Sequence, residues 1–234
     1  MPAALTIEEL ATFLDSYLGA ERFPTDTHGI YHPGSRTIEN LGLAIEPWPA
    51  IGQWAQEQEL DAIFLHRPWH ARLHTLPAGV GILAYHLAFD LSLTLGYNPR
   101  LAEMLGMRNL VPCVFRDGIA YGMLGDIAAI PLKVMINDLS TIFGHPPAME
   151  PEYVDSVRRI AVVGAMTDAS IRETADLGAQ VYITGQFRQP ARAAVQQTRM
   201  TVATIGHAIC EQRGLRDLGS LLSEHWPQLK IVYP

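Results

Sequence analysis

Two segments of the chain place a histidine four residues ahead of an acid, His86 with Asp90 and His207 with Glu211, and a third histidine, His66, closes an apolar run. Neutral imidazole nitrogen and carboxylate oxygen are the usual protein ligands of zinc, iron(II) and manganese. A set with few acids leaves part of the ion's charge available as a Lewis acid. If the segment after the histidine is helical, a spacing of four puts both side chains on one face, where they can grip one ion. Either pair alone is a common coincidence, and histidines at strand ends also serve as donors to backbone carbonyls. What joins the pairs is an internal repeat: DAIFLHRPWH leads to GILAYHLAFD, and QVYITGQFRQ leads to TVATIGHAICE, at a shift of about 120 residues. The expected metal ligands are therefore His66, His86, Asp90, His207 and Glu211, with Asp90 and Glu211 also the candidate catalytic proton acceptors.

The elements that must position these residues are read from periodicity. Thr6 and Glu9 have capping-box spacing, and Ile7, Leu10, Leu14 and Leu18 recur on one face, so a helix runs up to Gly19. The stretch from Ala20 to Ile38, rich in Gly, Pro, Thr and His, is expected to be a flap or mobile loop, with His28 and His32 as bystanders. Strands are expected at Leu41 to Ile45, Leu60 to Leu65 and Val80 to Tyr85, and helices at Ile51 to Gln58 and Pro99 to Leu105. A hairpin follows, Val111 to Phe115 and Ile119 to Leu124 about the turn Arg116-Asp117-Gly118, then a helix from Pro131 to Phe143. A second alternating block holds strands at Arg159 to Val163, Gln180 to Thr184, Thr201 to Ile205 and Leu229 to Val232. Such alternation implies an α/β fold, internally duplicated in α/β/α layers, with a mixed, largely parallel sheet and helices on its faces. The expected halves are 1–108 and 150–234 around a central hairpin and helix segment, 109–149. In open α/β sheets the carboxyl ends of the strands line the binding crevice, so a histidine at each strand end lies where ligands bind.

Composition narrows the function classes. A chain of 234 residues, 48% hydrophobic, can bury a large core without disulfides. Cys113 and Cys210 form no C-x-x-C pair, which fits a reducing, cytoplasmic setting rather than a zinc ribbon or redox motif. The start MPAALTIEEL has neither a basic n-region nor an apolar h-region, and no apolar run is long enough to span a bilayer, so no membrane association is expected. A net charge of -7 argues against nucleic acid as a general partner. Gly164 to Ser170 is a strand-to-helix turn without a G-x-G-x-x-G, with Thr167 or Asp168 as the N-cap. Trp69 and His70 follow the first turn, either packing or stacking on a substrate ring. Cys210 reads as a core thiol.

These residues carry a resemblance over nearly the whole chain to the NIF-three-like family, hexameric dinuclear-metal proteins known as GTP cyclohydrolase I type 2 homologues. The run from Asp61 to Pro68 resembles that family's strand ending in a His-His-Pro turn, and His86 through Asp90 its His-Thr-x-x-Asp segment. GYNPRLAEMLGM resembles the G-x-N-x-x-L-A-x-x-L-G run, Ile183-Thr184-Gly185 the I-T-G-E turn, and Gly206-His207 through Glu211 the closing G-H-x-x-x-E. The resemblance implies one or two divalent ions per chain, a homohexamer built as a trimer of dimers, and hydrolytic chemistry on a small nucleotide-like substrate.

Four departures matter. Arg67 stands where the family has the second His, and a guanidinium about 4 Å from a divalent ion costs roughly 8 kcal/mol at an effective dielectric of 20. Either Arg67 swings away, or its fixed charge replaces one ion and leaves a mononuclear or empty site, with His70 or His74 as minor substitutes. Ile38-Glu39-Asn40 replaces Trp-Asp-Asn, Gln186 replaces an acid, and Gly164-Ala165-Met166-Thr167 replaces a Gly-Ser-Gly turn. Two functions remain: a metal-dependent hydrolase, or a non-catalytic metal-binding and interaction scaffold.

Overall fold

The computed structural model describes residues 5–234, which form two compact units: the chain up to Phe89 together with Leu215–Pro234, and Asp90–Gly214. The first unit begins with α1 (Ile7–Leu18), whose N-cap Thr6 accepts from the Glu9 amide while Glu9 reaches back to the Thr6 amide, and whose C-cap Gly19 takes the left-handed conformation. Its apolar stripe is buried, and the Tyr85 hydroxyl donates towards α1, with Ala11 carbonyl at 3.0 Å and Asp15 carboxylate at 2.8 Å. Then come β1 (His28–His32), β2 (Asn40–Ala44), α2 (Ile51–Glu57), β3 (Ala62–Leu65) and β4 (Gly81–Tyr85). β3 and β4 are buried at every position, as expected of central parallel strands covered on both faces.

The chain passes from one unit to the other within α3 (Leu87–Leu93). The second unit continues through α4 (Pro99–Met104), the hairpin β5 (Arg108–Arg116) and β6 (Ile119–Pro131), α5 (Leu132–Phe143), β7 (Ala148–Met149), β8 (Ser156–Val163), α6 (Asp168–Asp176), β9 (Val181–Thr184), α7 (Arg192–Thr198) and β10 (Thr201–Thr204). α8 (His207–His225) leads back to the first unit, which ends in β11 (Lys230–Val232).

Each unit carries its own mixed sheet, in the orders β1-β4-β3-β2-β11 and β5-β6-β8-β9-β10-β7. Duplication is visible in the topology of each. β2, β3 and β4 are parallel and adjacent, as are β8, β9 and β10. Each triplet is flanked beyond its last strand by an antiparallel partner, β1 against β4 and β7 against β10. Both last strands run on into a helix, α3 or α8, that carries a histidine–acid pair at its start.

Two expectations need correction. The stretch from Ala20 to Ile38 is not a free flap: it holds a 3-10 turn (Ala20–Arg22) and β1, hydrogen-bonded along the β4 edge. The strand at Leu229 to Val232 does not belong to the second block but pairs in parallel with β2. That pairing brings Leu215–Pro234 into the first unit. The expected α/β fold, with mixed sheet and flanking helices, is present as two mixed sheets, one in each unit.

Candidate metal centre

His66 follows the last residue of β3 and His86 the last of β4, so adjacent parallel strands deliver two imidazoles at their carboxyl ends. Asp90 stands one turn along α3 from His86. One ligand atom from each of the three lies within 4.8 Å of the others. Donors around an ion with bonds near 2.1 Å are separated by about 3.4 Å, so a small contraction completes the set. Two imidazole nitrogens and one carboxylate suit zinc, iron(II) or manganese, and leave coordination positions open.

The ring orientations are fixed from outside the cluster. His66 is fully buried, its ring 4.8 Å from Phe89 and 5.2 Å from His86 between centroids. Its Nδ1 lies 3.0 Å from the Tyr85 carbonyl oxygen. A carbonyl only accepts, so Nδ1 carries the proton and Nε2 presents its lone pair. Nδ1 of His86 lies 3.0 Å from Asp26 Oδ1, and the other oxygen of Asp26 accepts from the Leu87 amide at 2.6 Å. In both histidines Nδ1 is tied to an acceptor and Nε2 is left to offer its lone pair, the arrangement common among metal-ligating imidazoles. Nε2 of His66 and Oδ1 of Asp90 are buried atoms without a hydrogen-bond partner, although both residues engage others through further interactions. Asp26, which no sequence motif marks, is thus the outside partner of His86.

In the second unit, Gly206, at φ 107°, turns the chain from β10 into α8, and His207 Nε2 meets Glu211 Oε1 at 3.0 Å across one helical turn. Glu211 is buried while His207 is largely exposed. Burial, then the negative charges of Glu211 and Asp90, push the Cys210 thiol far above its ordinary range. Cys210 is the core residue its sequence implied, packed among buried apolar side chains. Gly185 occupies the His66 position of the repeat, and Gln186 is exposed.

Arg67 reaches the residue after next beyond β2: its Nε donates to Glu46 at 2.6 Å. His70 and His74 are exposed and stand outside the His66, His86 and Asp90 group. Thr167 caps α6 in a reciprocal pair with Ser170, whose hydroxyl also meets the Tyr182 hydroxyl at 2.9 Å, so this turn is committed to packing.

A family model described as Duf34/NIF3 (NGG1p interacting factor 3) matches residues 5–233. The chain belongs to that family. Among its Duf34/NIF3 relatives, the GTP cyclohydrolase 1 type 2 homolog of Allochromatium vinosum is 24% identical, with 97% of this chain and 95% of the relative covered. The protein of the same name from Pyrococcus abyssi is 23% identical over 93% of both. Solved structures share the Duf34/NIF3 architecture. TTHA1606 from Thermus thermophilus superposes with a TM-score of 0.76 at 24% identity, covering 98% of this chain and 97% of its own. Reduced HcgD from Methanocaldococcus jannaschii superposes at 0.75 and 20%, with the same coverage. Among the described residues no helix is long and apolar enough to cross a membrane.

Proposed function

We propose that this Duf34/NIF3 chain is a cytoplasmic divalent-metal protein whose ion is held by His66, His86 and Asp90, and that it hydrolyses a small nucleotide-like substrate. The observation that carries the reading is the convergence of three ligand atoms within 4.8 Å, with both imidazoles oriented by acceptors at Nδ1. A divalent ion bound there supplies Lewis acidity for hydrolysis. The chain's own part is to orient and to accept protons: Tyr85 and Asp26 set the tautomers, and the carboxylates of Asp90 and Glu211 take the proton released by the attacking water. His207 and Glu211 are assigned as further ligands, supported by their place in the repeat and by their contact at 3.0 Å across one turn of α8. The nucleotide class rests on the name borne by the relatives, and the cytoplasmic setting on two free, buried thiols. We take the assembly to be a homohexamer, a trimer of dimers.

One observation favours a second reading, a non-catalytic metal-binding scaffold: Arg67 replaces a neutral donor beside His66 with a fixed positive charge that is tied to Glu46. Metal analysis after reloading with zinc, iron(II) or manganese tests both. About one equivalent per chain is expected, lost in His86→Ala, and Arg67→His should raise it. Metal-dependent turnover of GTP, abolished in Asp90→Asn, supports the hydrolase. Full metal content with no turnover of any nucleotide leaves the scaffold, and no bound metal after reloading overturns both.

A further inference from the structure

We propose that Trp69 is a substrate-positioning residue, an indole wall on which a planar heteroaromatic ring stacks beside His86; the assignment rests on the reading above and adds the residue that holds the ring. The Trp69 ring meets the His86 ring in a T-shaped contact with centroids 5.0 Å apart, yet 43% of the residue remains exposed. The other three tryptophans are used differently. Trp48 and Trp54 lie 5.2 Å apart and pack on the core of the first unit, and Trp226 meets Phe13 and His225 edge-on. Trp69 is the one tryptophan left open, and it is left open against a candidate ligand.

Its placement is built rather than incidental. The Ala71 amide donates to the Pro68 carbonyl at 3.0 Å and His70 has φ 73°, the pattern of a type II turn with Trp69 second and a left-handed residue third. Proline fixes the entry to this turn, and a non-glycine residue stays left-handed only where its surroundings hold it there. A rigid aromatic side chain on such a turn loses little freedom when a ligand arrives. An indole face accepts any flat ring, and stacking of this kind is sensitive to the size of the aromatic surface. Because the turn starts two residues after His66 and the indole touches His86, a ring stacked on Trp69 holds its substituents at the two imidazoles.

The test is a titration of full-length, zinc-loaded protein with guanosine 5′-monophosphate and with ribose 5-phosphate, following tryptophan fluorescence and calorimetric affinity, with zinc content measured on the same samples. Expected are quenching by the nucleotide, binding at least about tenfold tighter than the ring-free sugar phosphate, loss of that preference in Trp69→Leu, and most of it kept in Trp69→Phe. Zinc content stays that of the wild type in both variants. Equal binding of the two probes, no nucleotide binding, or unchanged nucleotide affinity in Trp69→Leu overturns the proposal while leaving the metal reading in place. Loss of zinc in Trp69→Leu overturns it too, because the residue then supports the centre and not the ligand. Absence of zinc from the wild type fails the metal reading by itself.

Discussion

The Asp26 carboxylate is divided between two donors, the Nδ1–H of His86 and the amide of Leu87. One oxygen sets a tautomer and the other ties the first residue of α3, so a single side chain fixes both the ring and the helix that carries Asp90. Partners of this kind are worth about 10–100-fold in metal affinity. Asp26→Ala should therefore weaken zinc binding by about that factor in competition with a chelating dye, and unchanged affinity would show that His86 is held by something else. The grouping of His66, His86 and Asp90 was legible because two apolar runs each lead to a histidine and Asp90 follows His86 by four residues. Asp26 was not: it acts on a histidine 60 residues away, and no spacing rule connects them. The identity of the Arg67 partner, Glu46, was equally hidden, since it depends on which strand lies beside β3.

Elements were read best where the chain's own chemistry closes them. α1 has a reciprocal cap at one end and a left-handed glycine at the other, both visible as Thr6, Glu9 and Gly19. Removing the cap with Thr6→Ala should lower the unfolding free energy by about 1 kcal/mol in urea melts, and a change below a few tenths would mean that packing alone holds the helix. The hairpin of β5 and β6 was announced by Asp117-Gly118, both at positive φ, although both strands extend beyond the apolar runs that marked them. β1 escaped notice because an edge strand need not alternate. Its five residues are all exposed or half-buried, and its register slips between Ile30 and His32. Only pairing with β4 makes HGIYH a strand, and pairing is not a local property.

At the scale of the whole chain, the repeat foretold two similar parallel triplets, but not that the last strand would return to the first. Leu229 to Val232 is a short, largely apolar segment interrupted by Lys230, and nothing local says which sheet it joins. A global property does follow from the second unit's core, where Cys113 and Tyr182 are buried. Burial, aided by the charge of Glu173, pushes the Cys113 thiol from its ordinary 9.0 up to about 12, and burial raises Tyr182 as well. Both groups are acids whose folded form keeps its proton longer than the unfolded one. Their stabilising contribution is thus complete below pH 9 and falls as pH rises from there towards the raised values. Urea midpoints should decline above pH 9, and less steeply in Cys113→Ala than in the wild type; parallel profiles would mean that the thiol is not the responsible group.

The seam between β2 and β11 bears on how the molecule comes into being. A ribosome delivers Asp90–Gly214 as one uninterrupted stretch, so the second unit has every strand it needs while the first is still waiting for Lys230–Val232. Until Lys230–Val232 emerge, the β2 border lacks the parallel neighbour it has in the fold and stands open to any passing strand.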